Sequence, residues 1–418
     1  MKSRLIINIK ELLQAEPDRS MRGVAPEIRK GVAQGFVPSV RNAYLLIEDG
    51  RIADYGQMHE LDLSGSRYKN IEISDVAGSI VLPAFCDAHT HIVYAGSREQ
   101  EFVDKINGLS YKEIAARGGG ILNSSALLHN TSEDELYLSA MKRIGEIKAQ
   151  GTGAVEIKSG YGLSVEDELK MLRVIRRIKE TAGIPVRSTF LGAHAYPMRY
   201  VDNRQGYIDE IVNVMIPAVA ADGLADYIDA FCEDGFFSVE DCSRIFEAGV
   251  KHGMRVKVHA NQMGMTGGVE VGVKYNAISV DHLESAGYEQ IKVLQRSGTI
   301  AGLLPGATFF LNMAYAPARK IIDAGVPVML ASNYNPGSCP SGDIRFEMSL
   351  ACIALKMNPY EALNACTINA AYAMDLQDEL GSITIGKRAN LIITKPVTSF
   401  DFIPYSFTSP WIKEVVIS

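Results

Sequence analysis

The residue pattern predicts an α/β protein: a (β/α)8 barrel of the TIM type, joined to a small β-sandwich built from both chain ends. Three observations predict it. Short apolar runs alternate with helical patterns eight times through the middle of the chain. Both ends read as short strands and turns instead. Histidines fall at the ends of the apolar runs, where a barrel of this kind carries its chemistry.

At 418 residues the chain suits one large unit plus a smaller one. The N-terminal part offers strands at 5–9, 43–47, 52–55 and 71–76. Asp49-Gly50 between two of them is a hairpin signal. At the far end, 381–387 and 389–394 read as strand, turn and strand. The expected division is 1–79 with 373–418 as the β unit, and 80–372 as the barrel.

Within the barrel the strand candidates are 80–85, 154–158, 186–191, 227–232, 255–259, 277–282, 299–304 and 326–332. Helical patterns lie between most of them, such as 164–180, 238–252 and 288–297. Ser164 and Ser238 each precede an acidic residue by three, the signature of a helix N-terminus. The rival architecture is a doubly wound open sheet. That fold usually follows its first strand with a Gly-rich phosphate loop. Here His89-Thr90-His91 stands in that place, which favours the barrel.

Composition excludes several function classes. The net charge is −7 and no basic run occurs, so a nucleic-acid partner is not expected. No stretch approaches the ~20 apolar residues of a membrane span. Six cysteines are scattered with no Cys-x-x-Cys pair, which in a chain of this size suits reduced thiols. A soluble, cytoplasmic protein is the expectation.

His89 and His91 are two apart, so on a strand they share a face and make half of a metal site. His194, His259 and His282 end the third, fifth and sixth runs. Tyr161, Glu233, Asn261, Gln262 and Asn333 fall at further strand ends. The remaining histidines, His59, His129 and His252, sit in loop or helix contexts, where solvation is the default. Five of eight imidazoles converging on one barrel mouth point to a metal centre.

This pattern resembles the amidohydrolase superfamily. The run from His89 to Arg98, the runs 155–162 and 189–194, and Asn335 to Ser338 resemble its imidazolonepropionase family more closely. The resemblance implies hydrolysis of the cyclic amide of 4-imidazolone-5-propanoate to N-formimino-L-glutamate, by a water activated on one divalent Zn or Fe ion. It implies His89, His91 and His259 as metal ligands, with the position of Asn333 as a fourth. It implies His282 as the group that hydrogen-bonds the water or the developing oxyanion. Arg98 matches the anchor of the substrate carboxylate, with Tyr161 as its partner. Tyr111 and His194 match further substrate contacts, and Asn335, Gly337 and Ser338 match the loop that holds the formimino end. The run Gly118 to Gly120 reads as a mobile active-site loop or a plain flexible one. A homodimer is expected on the same ground.

Two positions depart from the family pattern. The eighth strand of the family carries Asp where this chain has Asn333. An amide can offer a cation only its carbonyl oxygen and cannot accept a proton near neutral pH. Activity is therefore expected to be impaired. Many members also have Glu where this chain has Gln262, which keeps the shape but cannot shuttle a proton. Two other readings compete: a homologue that binds metal and ligand without turnover, and a different cyclic amidohydrolase or deaminase.

Overall fold

The computed structural model describes residues 3–64, 66–68, 71–109, 113 and 119–418. Five strands precede the barrel: β1 (Arg4–Leu13), β2 (Ser39–Glu48), β3 (Arg51–Gln57), β4 (Glu72–Asp75) and β5 (Ile80–Pro83). Eight form it: β6 (Phe85–Thr90), β7 (Thr152–Lys158), β8 (Val186–Ala193), β9 (Tyr227–Cys232), β10 (Arg255–Ala260), β11 (Ser279–His282), β12 (Ile300–Leu303) and β13 (Val328–Leu330). Two follow it: β14 (Leu391–Thr394) and β15 (Ile412–Val416).

The barrel strands pair in parallel and in chain order from β6 to β13. A parallel bridge between Thr90 and Tyr334 joins the first barrel segment to the last. Six of these strands are buried at every position, and β8 and β10 at all but one. Strands covered on both faces need mostly apolar residues, which is why they read as near-continuous runs. The predicted helices form with their caps. Ser164 and Ser238 accept the N–H of Asp167 and Asp241 at the heads of Val165–Thr181 and Val239–Lys251.

The remaining seven strands form one sheet in the order β15-β14-β5-β1-β2-β3, with β4 pairing the start of β1 on the edge that β5 takes farther along. The β2–β3 hairpin turns at Asp49 and Gly50, both at positive φ, as the sequence signal requires. The sheet covers an apolar cluster that includes Ile6, Leu45, Val81 and Ile393.

Two expectations change. The 80–85 run is not one barrel strand. Ile80–Pro83 pairs with β1 and β14, and the barrel strand begins at Phe85. Both halves are buried and apolar, so the run shows no break. Residues 381–387 make only an isolated bridge, Ile383 to Ala15, and Lys387 turns inward, donating to the carbonyl of Leu380 at 3.0 Å and to Ser382 Oγ at 2.8 Å. All six cysteines are free thiols. Among the described residues no helix is long and apolar enough to cross a membrane.

Asn390 joins the terminal sheet to the barrel. Its Nδ2 donates to the carbonyl of Gly153 at 2.9 Å, and its Oδ1 accepts the N–H of Ser418 at 3.0 Å. Asn390→Ala should cost about 1–3 kcal/mol through these buried groups. A thermal melt should show a lower midpoint with metal content unchanged; an unaltered midpoint contradicts this role for the junction.

Candidate active site

The histidines at the strand ends meet at the mouth of the barrel. His89 lies within β6 and His91 one residue past it, and both are buried. His259 comes from β10 and His282 closes β11. The ring centroids of His89 and His259 are 4.5 Å apart, and those of His259 and His282 5.4 Å. His91 and His259 bring their Nε2 atoms to 3.4 Å. His194, just past β8, stacks on His91 at 5.3 Å.

What stands behind each ring decides which nitrogen faces the centre. Asp281 Oδ2 lies 2.7 Å from His89 Nδ1. Asp229 Oδ2 lies 3.1 Å from His259 Nδ1. A carboxylate at Nδ1 keeps the proton there and leaves the Nε2 lone pair pointing inward. Asp229 also meets the Lys158 ammonium at 2.8 Å, and Lys158 meets Glu156 at 2.9 Å. All three side chains are fully buried. Burial alone would raise the Asp229 carboxyl, but Lys158 and His259 hold it well below the usual range.

His89, His91, His194 and His259 are held neutral. Burial, then the charge of Lys158 and the neighbouring rings, lowers His89 far below the ordinary value. Burial and the rings of His194 and His259 do the same to His91. Burial lowers His259, and it brings His194 down to about 3. His194 donates from Nδ1 to the carbonyl of Gly160 at 2.9 Å.

These residues fit a divalent metal. His89 Nε2 is buried with no hydrogen-bond partner among the described residues, a costly state for a polar atom unless an electron-pair acceptor sits opposite it. Ring nitrogens of His89, His259 and His282 lie within 4.8 Å of one another. Neutral imidazoles are the donors that Zn and similar ions prefer. His282 is thereby placed beside the ring nitrogens of His89 and His259.

Backbone strain marks the same rim. His282 has φ +88°, Asn261 φ +55° and Asn333 φ +53°, all in the left-handed region that branched and bulky residues avoid. The barrel closure holds Asn333 in place: its N–H donates to the His89 carbonyl at 3.0 Å, and the His91 N–H to the Tyr334 carbonyl at 2.9 Å. Asp87 secures the preceding residue, accepting from Ser332 N–H at 3.0 Å and Oγ at 2.5 Å.

A cavity of about 290 Å³ opens above the histidines. His91, His194, His259, His282, Gln262 and Asn333 line it. So do Arg98, Tyr161, Asn335, Gly337 and Ser338. Tyr161 rides on a loop gathered by buried Glu168, whose Oε1 accepts the N–H of Gly162 at 2.7 Å and of Leu163 at 3.0 Å. A Cβ on Gly162 would strike the backbone of Glu168, so that position takes glycine. Asn335 Oδ1 accepts the N–H groups of Gly337 and Ser338, both at 2.8 Å, and so shapes the last loop. Arg98 is not a free fork. Its Nε and Nη2 donate to Glu101 Oε2 at 2.9 and 2.5 Å in a largely buried pair. Tyr111 and Gly118 lie outside the described residues.

Sequence reasoning missed Asp229, Asp281, Lys158 and Glu156. Their signal was present as charged residues inside otherwise apolar strands. It also missed the apolar side of the cavity, formed by Phe231, Phe236, Met263, Leu311 and Met313.

The comparisons with known proteins agree with this geometry. The model of the amidohydrolase family matches residues 80–418. The imidazolonepropionase of Flavobacterium johnsoniae is 52% identical over 413 residues, covering 99% of this chain and 98% of the relative. That of Thermoanaerobacter pseudethanolicus is 39% identical over 382 residues, covering 91% and 90%. The chain belongs to the imidazolonepropionase family of amidohydrolases. It is therefore a hydrolase acting on a small molecule, in a family built for metal-dependent chemistry. Solved structures share the fold at low identity. Triazine hydrolase from Arthobacter aurescens superposes with a TM-score of 0.71 at 16% identity, covering 100% of this chain and 94% of that one. Guanine deaminase from C. acetobutylicum gives 0.69 at 14%, covering 100% and 99%.

Two outcomes follow for this family member. Asp281→Asn should weaken divalent-metal affinity by roughly 10–100-fold in chelator competition; unchanged affinity contradicts the role of Asp281 behind His89. Metal-stripped protein should also be acid-labile. An unfolded imidazole titrates near about 6.5, and the folded values lie lower, so the unfolded chain binds more protons. Stability is full above that pH and falls as the pH drops toward about 3, where His194 titrates. The loss approaches about 1.4 kcal/mol per pH unit for each such ring. Thermal midpoints of stripped protein measured from pH 8 down to pH 5, as about the usable range, should fall; a flat profile contradicts it.

Proposed function

We propose that the chain hydrolyses 4-imidazolone-5-propanoate to N-formimino-L-glutamate, a step of histidine degradation. One observation carries this reading: neutral imidazoles converge at the floor of a cavity whose wall presents a guanidinium, Arg98. The high identity to imidazolonepropionases over nearly the whole chain supports it.

His89, His91 and His259 are the residues that would hold a zinc or iron ion, and Asn333 would offer it an amide oxygen. Such an ion, when bound, lowers the pKa of a water toward ~7 and polarises a carbonyl. The water oxygen adds to the ring carbonyl carbon, the adjacent ring C–N bond breaks, and the nitrogen leaves with a proton. His282 hydrogen-bonds the water or the developing oxyanion. Arg98 and Tyr161 hold the propanoate carboxylate. His194 and Gln262 contact the ring, and Asn335, Gly337 and Ser338 hold the formimino end. Tyr111 is a further substrate contact in this reading. A cytoplasmic homodimer is part of the same proposal.

Asn333 limits the proton traffic. Its Nδ2 lies 3.5 Å from Ser338 Oγ, and an amide accepts no proton near neutral pH. Asn333→Asp should raise the ring-opening rate by about 10² or more, the scale of a positioned acid or base. If neither form opens the ring with zinc or iron present, the proposal fails. Arg98→Met should raise KM for the carboxylate substrate strongly, and unchanged kinetics would remove Arg98 from the site.

A further inference from the structure

Arg98 alone does not give the cavity a net positive charge. Its Nε and Nη2 are committed to Glu101. Burial would raise the Glu101 carboxyl, but Arg98 and the Gly120 N–H hold it below the usual range, so it stays ionised. The Arg98–Glu101 pair is therefore neutral overall. Nη1 of Arg98 remains, lying so close to Gly337 that any Cβ there would collide with it.

Lys105 lies seven residues after Arg98, on the helix Glu99–Ile106 that Arg98 caps. Seven residues make two turns, so both side chains leave on one face. Lys105 lines the same cavity and is half-buried. Its Nζ rests 5.9 Å from the centre of the Phe310 ring. No ion pair links it to a carboxylate of the described residues, and none of the described cavity-lining residues is Asp or Glu. With His91, His194 and His259 neutral, Lys105 supplies charge to this wall that no carboxylate of the lining offsets.

We propose that Lys105 is a second carboxylate-binding residue, which makes the cavity select anionic over neutral substrates while Arg98, balanced by Glu101, orients the carboxylate. Burial and the nearby Arg98 guanidinium lower the Lys105 pKa from the usual lysine range, and the more weakly acting Glu101 carboxylate does not offset them. A carboxylate arriving between Lys105 and Arg98 Nη1 would relieve that imbalance. The inference rests on the function proposed above, which requires a carboxylate-bearing substrate.

The test is calorimetric binding of 3-(imidazol-4-yl)propanoate and of its neutral amide to the unaltered chain, Lys105→Met and Lys105→Arg. The unaltered chain should prefer the anion. Lys105→Met should lose about tenfold or more in affinity for the anion, with the amide changed less than about twofold, and Lys105→Arg should restore most of the loss. Equal binding of the anion by Lys105→Met and the unaltered chain overturns the proposal. So does an equal loss for anion and amide, or an unaltered chain that does not distinguish them. Ring opening of imidazolone propanoate by the unaltered chain and by Asn333→Asp reports on the function separately, so the two failures are told apart.

Discussion

Buried imidazoles need acceptors, and this constraint shapes the barrel interior. A ring taken out of water must satisfy one nitrogen and leave the other free to act. Here Asp281 serves His89, and Asp229 serves His259. A buried carboxylate is itself costly without a counter-charge. Lys158 meets that need for Asp229 and shares it with Glu156. Removing one member would strand the next, so these positions act as a unit across β7, β9, β10 and β11. The result is that His89 and His259 each leave Nε2 free on the side away from their carboxylates.

Closure of the barrel adds the other wall. The bridge from Thr90 to Tyr334 sets the eighth segment beside the first. Asp87 and Ser332 lock the approach, and the His89 carbonyl takes the Asn333 N–H. Asn333 is thereby held in a left-handed conformation facing the histidines. The geometry of that position is kept, while its chemistry is that of an amide. The strain at Asn333 and His282 is affordable because neighbouring strands over-determine both.

Much of this was legible in the chain, for physical reasons. Parallel strands buried on both faces must be largely apolar, so seven of the eight barrel strands stood out, each within two residues of its ends, while the first was placed too early. Helix caps at Ser164 and Ser238 were readable because capping is local. The break between Pro83 and Phe85 was not readable, since two sheets share one apolar run. β15 escaped because Ile412–Val416 is short and mixed in polarity. The strand-end histidines were visible through their placement. Their carboxylate partners were not, because Asp229 and Asp281 act across strands, and pairing between distant segments leaves no spacing to read. The Glu101 hold on Arg98 had a local signal at i and i+3, yet whether it lay at the surface or in the cavity wall depended on the fold.

The most direct test is a titration. Metal-stripped protein, unaltered and Asn333→Asp, is loaded stepwise with zinc or ferrous iron while ring opening of imidazolone propanoate is followed. The account predicts a rate that rises from background and levels off at one metal per chain, with the Asp form much the faster. A rate independent of added metal, or no ring opening by either form, would contradict it.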